Sequence, residues 1–198
     1  MPITLISPAQ HAMTVRGSRF LADAAPVRDA AAAMHWLIGQ RHDDATHNCW
    51  AWRCGVEYRS SDDGEPGGSA GRPILHAIDA QGFDEVVVRV ARWFGGTKLG
   101  VGGLVRAYGG CAAQCLRAAP RREIVTMVVA RIEADPATLA RLRGRLDAFA
   151  ARIAREVDRD GALHVSLPQQ QWPVLRDWLA ELTRGRARCD IDIGHAAT

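Results

Sequence analysis

The sequence predicts an α+β protein of two units, on three observations. Strand-like and helix-like segments intermix from the N-terminus to about residue 120. Pro120 and the basic pair Arg121 and Arg122 then interrupt the pattern. Beyond them the order resets to β-α-β-β-α-β, the split arrangement of ferredoxin-like units. The division is placed at 1–120 and 121–198, and a chain of 198 residues with 47% apolar and 24% charged residues has the length and composition for it.

In the first unit, alternating apolar and polar residues over Thr14 to Ala24 predict a strand. Ala31, Met34, Trp36, Leu37 and Ile38 then give a helix over Arg28 to Gln40. A second strand runs from Asn48 to Tyr58. Arg59 to Arg72, RSSDDGEPGGSAGR, is too rich in Ser, Asp, Gly and Pro for regular structure and reads as a loop. Ile74 to Ala80 is helical, with Pro73 in the first turn, where its missing N–H costs nothing. DEVVVRVAR at 84 to 92 is dense in valine and reads as a central strand, buried on at least one face. After a glycine-rich loop, the spacing of Leu104, Ala107, Tyr108, Cys111, Ala112, Cys115 and Leu116 predicts a helix over Gly103 to Ala118.

The second unit opens with a strand at Glu123 to Glu133 and a helix capped by Asp135, with Pro136 at its first position and its end near Gly144. A strand at Phe149 to Val157, a turn at Asp158 to Gly161 and a strand through Leu163, Val165 and Leu167 predict a hairpin. A helix over Gln170 to Thr183 and a strand at Ala187 to Ile193 complete the order.

A net charge of +3, with both signs interleaved through the chain, announces no long-range field, though a local basic patch is compatible with it. The N-terminus has no basic segment followed by an apolar core, and no apolar run approaches the roughly 20 residues of a membrane span, so a cytoplasmic protein is expected. Five cysteines without a C-x-x-C pair argue against a disulfide framework and a standard zinc site, and reduced, packed thiols are expected.

The chemistry concentrates in three places. RVARWFGGTKLGVGGLVRAY, residues 89 to 108, holds five glycines and the only lysine of the chain between a strand and a helix. Gly95, Gly96, Gly100, Gly102 and Gly103 would let backbone approach an anion at a helix N-terminus, with Lys98 as a point charge. The stretch fails both nucleotide-loop patterns, having no Gly-Lys-Ser/Thr and Val at 105. Asp62, Asp63 and Glu65 gather carboxylates that would suit a cation or cationic groups, or simply a solvated turn. His47, Asn48 and Cys49 open a strand on which alternation puts His47 and Cys49 on one face and Trp50 and Trp52 on the other, an arrangement poorly suited to nucleophilic catalysis. Arg89, Arg92 and Arg106 could form a cationic rim with Lys98, and Trp93 and Phe94 could supply stacking faces beside it.

ATHNCWAW at 45–52, SDDGEPGGSAGRPIL at 61–75 and RWFGGTKLGVGGLVRAY at 92–108 strongly resemble, in this order, the bacterial YigZ family, relatives of the eukaryotic IMPACT proteins. The resemblance covers residues 14 to 119 closely. It implies a first unit similar to the second domain of the small ribosomal subunit's fifth protein, and a second unit similar to the fifth domain of elongation factor G. It also implies a role near translation or RNA, since the eukaryotic relatives regulate the stress-kinase pathway that controls initiation. No catalytic mechanism comes with it.

The expectation is therefore a non-catalytic, translation-associated regulator whose partners are RNA, the ribosome or translation factors, with no cofactor and no metal. The binding surface would draw on His47, Asn48, Asp62, Asp63, Glu65, Arg92, Gly95, Gly96, Lys98, Gly100, Gly102, Gly103 and Arg106. The alternative is a protein or enzyme that seats a phosphate-bearing ligand at the glycine-rich loop.

Overall fold

The computed structural model describes residues 2–157 and 161–192. The chain divides into two compact units, Met1–Ile124 and Val125–Thr198.

The first unit is built on an antiparallel sheet of five strands. In chain order these are β2 (Ala9–Val15), β3 (Ser18–Pro26), β4 (His47–Cys54), β5 (Glu57–Ser61) and β6 (Val86–Trp93), and in space the order is β2-β3-β6-β4-β5. The valine-rich β6 is central, as its composition predicts. Val86, Val88 and Val90 point to one face and Val87 to the other, and all four are fully buried. On the first face lie α2 (Gly71–Ala80) and α3 (Val101–Ala118), whose Ile74, Ile78, Leu104, Tyr108, Cys111 and Leu116 share a core with Phe20, Cys49 and the three valines. On the second lies α1 (Ala30–Gly39), packed through Ala33 and Leu37 on Ala25, Trp52 and Val87. Asp29 caps α1 by accepting the Ala32 N–H at 2.7 Å. A short pair, β1 (Ile3–Leu5) with β7 (Arg121–Glu123), closes the unit.

β3 and β4 both run antiparallel to β6, so the β3-α1-β4 connection crosses over β6 between parallel strands; likewise β5-α2-β6 crosses over β4. Two such crossovers of the same hand would put α1 and α2 on the same face. They lie on opposite faces, so one crossover is of the uncommon left-handed kind.

The second unit runs β8 (Met127–Glu133), α4 (Pro136–Arg143), β9 (Arg152–Arg155), β10 (Ala162–Pro168), α5 (Trp172–Thr183), β11 (Arg188–Asp192). Its sheet has the order β11-β8-β10-β9, all antiparallel, which is the split β-α-β-β-α-β arrangement. Val128, Ala130 and Ile132 alternate inward from β8 against Leu139, Leu142, Leu175 and Leu179 of the helices. Asp135 caps α4 through the Thr138 N–H, as expected.

Several boundaries differ from those the sequence predicts, each for a local reason. The strand expected at 14–24 is a hairpin: Arg16 (φ 46°) and Gly17 (φ 83°) take left-handed backbone and turn the chain between β2 and β3. The strand expected at 48–58 is likewise split by Gly55 (φ 61°), so Arg59–Ser61 belong to β5 rather than to the loop. The strand expected from Glu123 starts at Met127, because residues 121–123 pair with β1 instead. Phe149 sits in a 3-10 turn ahead of β9, and 3-10 residues Gln169–Gln171 precede α5. Asp158 to Asp160 of the expected turn, and Ile193, lie outside the described residues.

Candidate functional site

Every motif singled out in the first unit comes to one pole of the sheet. Register sets the start of β4 beside the end of β6, with His47 opposite Arg92, and the β2–β3 turn beside the same strand, with Arg19 opposite Trp93. Residues 62–70 leave β5 across this pole, and residues 94–100 leave β6 over it to start α3.

The acidic loop is spent internally. Asp62 accepts three backbone N–H groups, from Gly68 (2.7 Å), Ala70 (2.9 Å) and Gly71 (2.8 Å), so its side chain ties the loop shut and serves the first turn of α2. Burial alone would raise the Asp62 carboxyl, but the bonds from Gly68, Gly71 and Ala70, with the Arg72 charge, outweigh it and hold the group below its ordinary value. Asp63 accepts the Asn48 N–H at 2.6 Å, and its carbonyl accepts from His47 Nδ1 at 2.7 Å, which puts the imidazole proton on Nδ1. Asn48 is buried and brackets the His42 backbone, accepting its N–H at 3.0 Å and donating to its carbonyl at 2.9 Å. Glu65 is buried and accepts from Arg92 Nη1 at 2.6 Å and from the Tyr108 hydroxyl at 2.7 Å. His47 Nε2 lies 4.0 Å from the same oxygen.

Arg89 and Arg92 are therefore not rim residues. Arg92 spans the pole beneath its surface, 5% exposed, with Nη2 also donating to Ser18 Oγ at 3.3 Å. Arg89 sits on the opposite face of β6, 2% exposed, in a buried ion pair with Asp23 that the Gln10 amide completes. Alternation dictates this outcome, since three residues apart on a strand means opposite faces. The same alternation places Cys49 in the α2–α3 core and Trp52 against α1, as expected. Burial, with the nearby acids adding to it, pushes the Cys49 thiol up to about 12, and its Sγ donates to the Asp62 carbonyl at 3.0 Å. That is the opposite of an activated nucleophile. All five cysteines are free thiols.

The glycine-rich loop serves close packing at Gly95 and, less severely, at Gly103, where a Cβ would lie 3.0 Å from Leu99 Cβ, and openness at the rest. A Cβ on Gly95 would lie 1.9 Å from the Gly17 carbonyl carbon and 2.3 Å from the Ser18 nitrogen, so here two backbones touch. Gly96 and Gly100 have φ of 84° and 72° with open space around them, and Gly102 faces only the Arg106 side chain. α3 starts without a capping side chain and with no acidic residue in its first turn, leaving its N–H groups to solvent. Lys98 and Arg106 are exposed, and Arg16 and Arg106 line a cleft of about 200 Å³ with Met13, Val15, Leu99, Gly103 and Ala107. Arg16, Lys98 and Arg106 form no ion pair among the described residues. Phe94, at the start of the loop, is 49% exposed, while Trp93 is held by Asp44 and stacked under Arg19.

The structure thus brings Gly95, Gly96, Lys98, Gly100, Gly102, Gly103 and Arg106 together on the surface and sets His47, Asn48, Asp62, Asp63, Glu65 and Arg92 beneath it as support. Sequence reasoning missed Arg16, whose Arg-Gly turn signal lies inside an alternating run. It also read Tyr108 as a plain core residue, because helical spacing carries no mark of its hydroxyl. Among the described residues no group of three or more His, Cys, Asp or Glu side chains is placed to hold a metal ion. No described helix is long and apolar enough to cross a membrane.

Residues 16–116, which span this whole pole, match the family described as Impact N-terminal domain. An IMPACT family member of Thermus thermophilus is 45% identical over 175 residues, covering 87% of this chain and 97% of that protein. The IMPACT family member YvyE of Bacillus subtilis is 28% identical over 93% of this chain, and YigZ of Escherichia coli 39% identical over 59% of it. A crystal structure of a hypothetical protein, 31% identical, superposes with a TM-score of 0.64 over 94% of this chain and 95% of its own. With the family match running from the β2–β3 turn through α3, and a relative covered almost end to end, the chain belongs to the IMPACT family.

Proposed function

We propose that the chain is a non-catalytic, translation-associated binding protein that engages RNA or the ribosome through the rim formed by the glycine-rich loop, the β2–β3 turn and the first turns of α3. The observation that carries this reading is the contrast at the pole. The acids of the loop after β5 are consumed by internal bonds, whereas Arg16, Lys98 and Arg106 form no ion pair among the described residues and belong to the segments around an uncapped helix start. Such a surface presents net positive charge to a polyanion at no cost in broken ion pairs. The family's association with translation is what the motif resemblance implies, and it selects RNA among polyanions. A cytoplasmic site of action accords with that role.

The test is co-sedimentation with ribosomes and binding to ribosomal RNA fragments. The variant Arg16→Ala/Lys98→Ala/Arg106→Ala should fold and lose at least tenfold in affinity. Unchanged binding by that variant would remove the rim from the account. A second reading, a small phosphate-bearing ligand seated on the α3 N-terminus, is favoured by the free N–H groups there and by the adjoining cleft. Thermal stabilisation by nucleotides or inorganic phosphate, reversed by Lys98→Ala, would support it over RNA.

A further inference from the structure

We infer that the rim takes single-stranded RNA, with a base stacked on Phe94 and the adjoining phosphates held by Arg16, Lys98 and Arg106; this rests on the reading of the rim as an RNA-binding surface. Phe94 is the last residue before the glycine-rich loop and is 49% exposed, although it adjoins a fully packed strand. Its ring is not loose. The backbone N–H donates to Thr46 Oγ1 at 3.1 Å, and the next residue, Gly95, is locked against Gly17 and Ser18. The Arg92 guanidinium lies 5.6 Å from the ring centroid, and it is itself fixed by Glu65 and Ser18. An aromatic ring held from below by a buried cation and open above is a platform that loses little freedom when a flat partner settles on it.

The neighbours decide what that partner is. Gly17 joins Gly95 to Arg16 on one side, and Lys98 follows four residues along the loop. A base over Phe94 would therefore lie next to the two chain segments that carry Arg16 and Lys98, which form no ion pair among the described residues. Val101 and Val105, on the first turns of the helix that the loop leads into, are also exposed, at 57% and 38%. A duplex offers phosphates to the cations but hides its base faces from Phe94. A peptide of acidic residues alone offers carboxylates but no ring to stack. Single-stranded RNA satisfies both halves of the surface, with stacking that tolerates any base.

The experiment is fluorescence anisotropy of the full chain with three probes: an oligouridine of roughly a dozen nucleotides, an RNA duplex of similar charge, and oligoglutamate. Oligouridine should bind more tightly than either of the others. Phe94→Ala should weaken it by about tenfold, as expected for one stacked base, with the salt dependence unchanged. Phe94→Trp should restore it, which a merely structural role for the ring would not allow. Equal binding of duplex and single strand, with Phe94→Ala silent but Lys98→Ala harmful, would overturn the stacking inference and leave the RNA-binding reading standing. Preference for oligoglutamate, or no binding of any RNA, would overturn both.

Discussion

Glu65 shows how one side chain organises the pole. It accepts from both Arg92 and Tyr108 in a buried position, so truncating it leaves a guanidinium and a hydroxyl without their acceptor. Glu65→Ala should cost about 3–5 kcal/mol, the range for breaking one side of a buried pair, whereas Glu65→Leu with Arg92→Met should cost less than that single change. Urea denaturation of the variants checks this, and a double variant worse than the single would contradict it. Asp62 makes a pH-dependent contribution. Its carboxyl lies below its ordinary value in the folded chain, so its stabilisation is complete above the unfolded value of about 4 and is lost as pH falls through the folded value. The deficit of Asp62→Asn relative to the natural chain should therefore shrink as pH falls from about 5 toward 2; an equal deficit at both ends would refute the role. At the thiols, burial pushes Cys49, Cys111 and Cys115 up to about 12 and Cys54 to about 11. At pH 8 these four should stay silent to a disulfide reagent until the protein is unfolded.

The loop and the first turn of α3 make different demands on their glycines. Gly95→Ala drives a Cβ into the backbone of Gly17 and Ser18, which cannot yield without moving the β2–β3 turn. It should destabilise by several kcal/mol and disturb Phe94 and Arg16 together. Gly102→Ala, inside α3 and facing only Arg106, should be neutral or stabilise by up to about 1 kcal/mol. Thermal melts of the pair test whether the loop's glycines are needed at the touching point or throughout. Element existence was legible in the sequence where period and composition agreed, as in β6, α3 and the Asp135-capped α4. It failed where one or two residues with left-handed backbone reversed the chain, at Arg16–Gly17 and at Gly55, since the turn between the paired Val15 and Ser18 leaves only a one-step phase shift in the alternation. The candidate site was legible as motifs but not as layers. Nothing in SDDGEPGGSAG says that its carboxylates turn inward, because that depends on backbone donors brought back from Gly68 to Gly71 and on Tyr108, more than forty residues away.

Across the whole molecule, each unit carries its own core, and in the proposed function the charge that counts is that of groups left without ion pairs rather than the net +3. In the second unit the basic run near the end of α4 is largely engaged: Arg143 bonds Glu156 at 3.0 Å and Arg145 stacks on Trp178. In the first unit Arg16, Lys98 and Arg106 form no ion pair among the described residues. The most direct measurement of the account is the slope of log Kd against log salt for oligouridine, compared between the natural chain and Arg16→Ala/Lys98→Ala/Arg106→Ala. Loss of three phosphate contacts should reduce that slope by roughly two. Identical slopes, with both proteins folded and binding, would show that the rim does not carry the interaction.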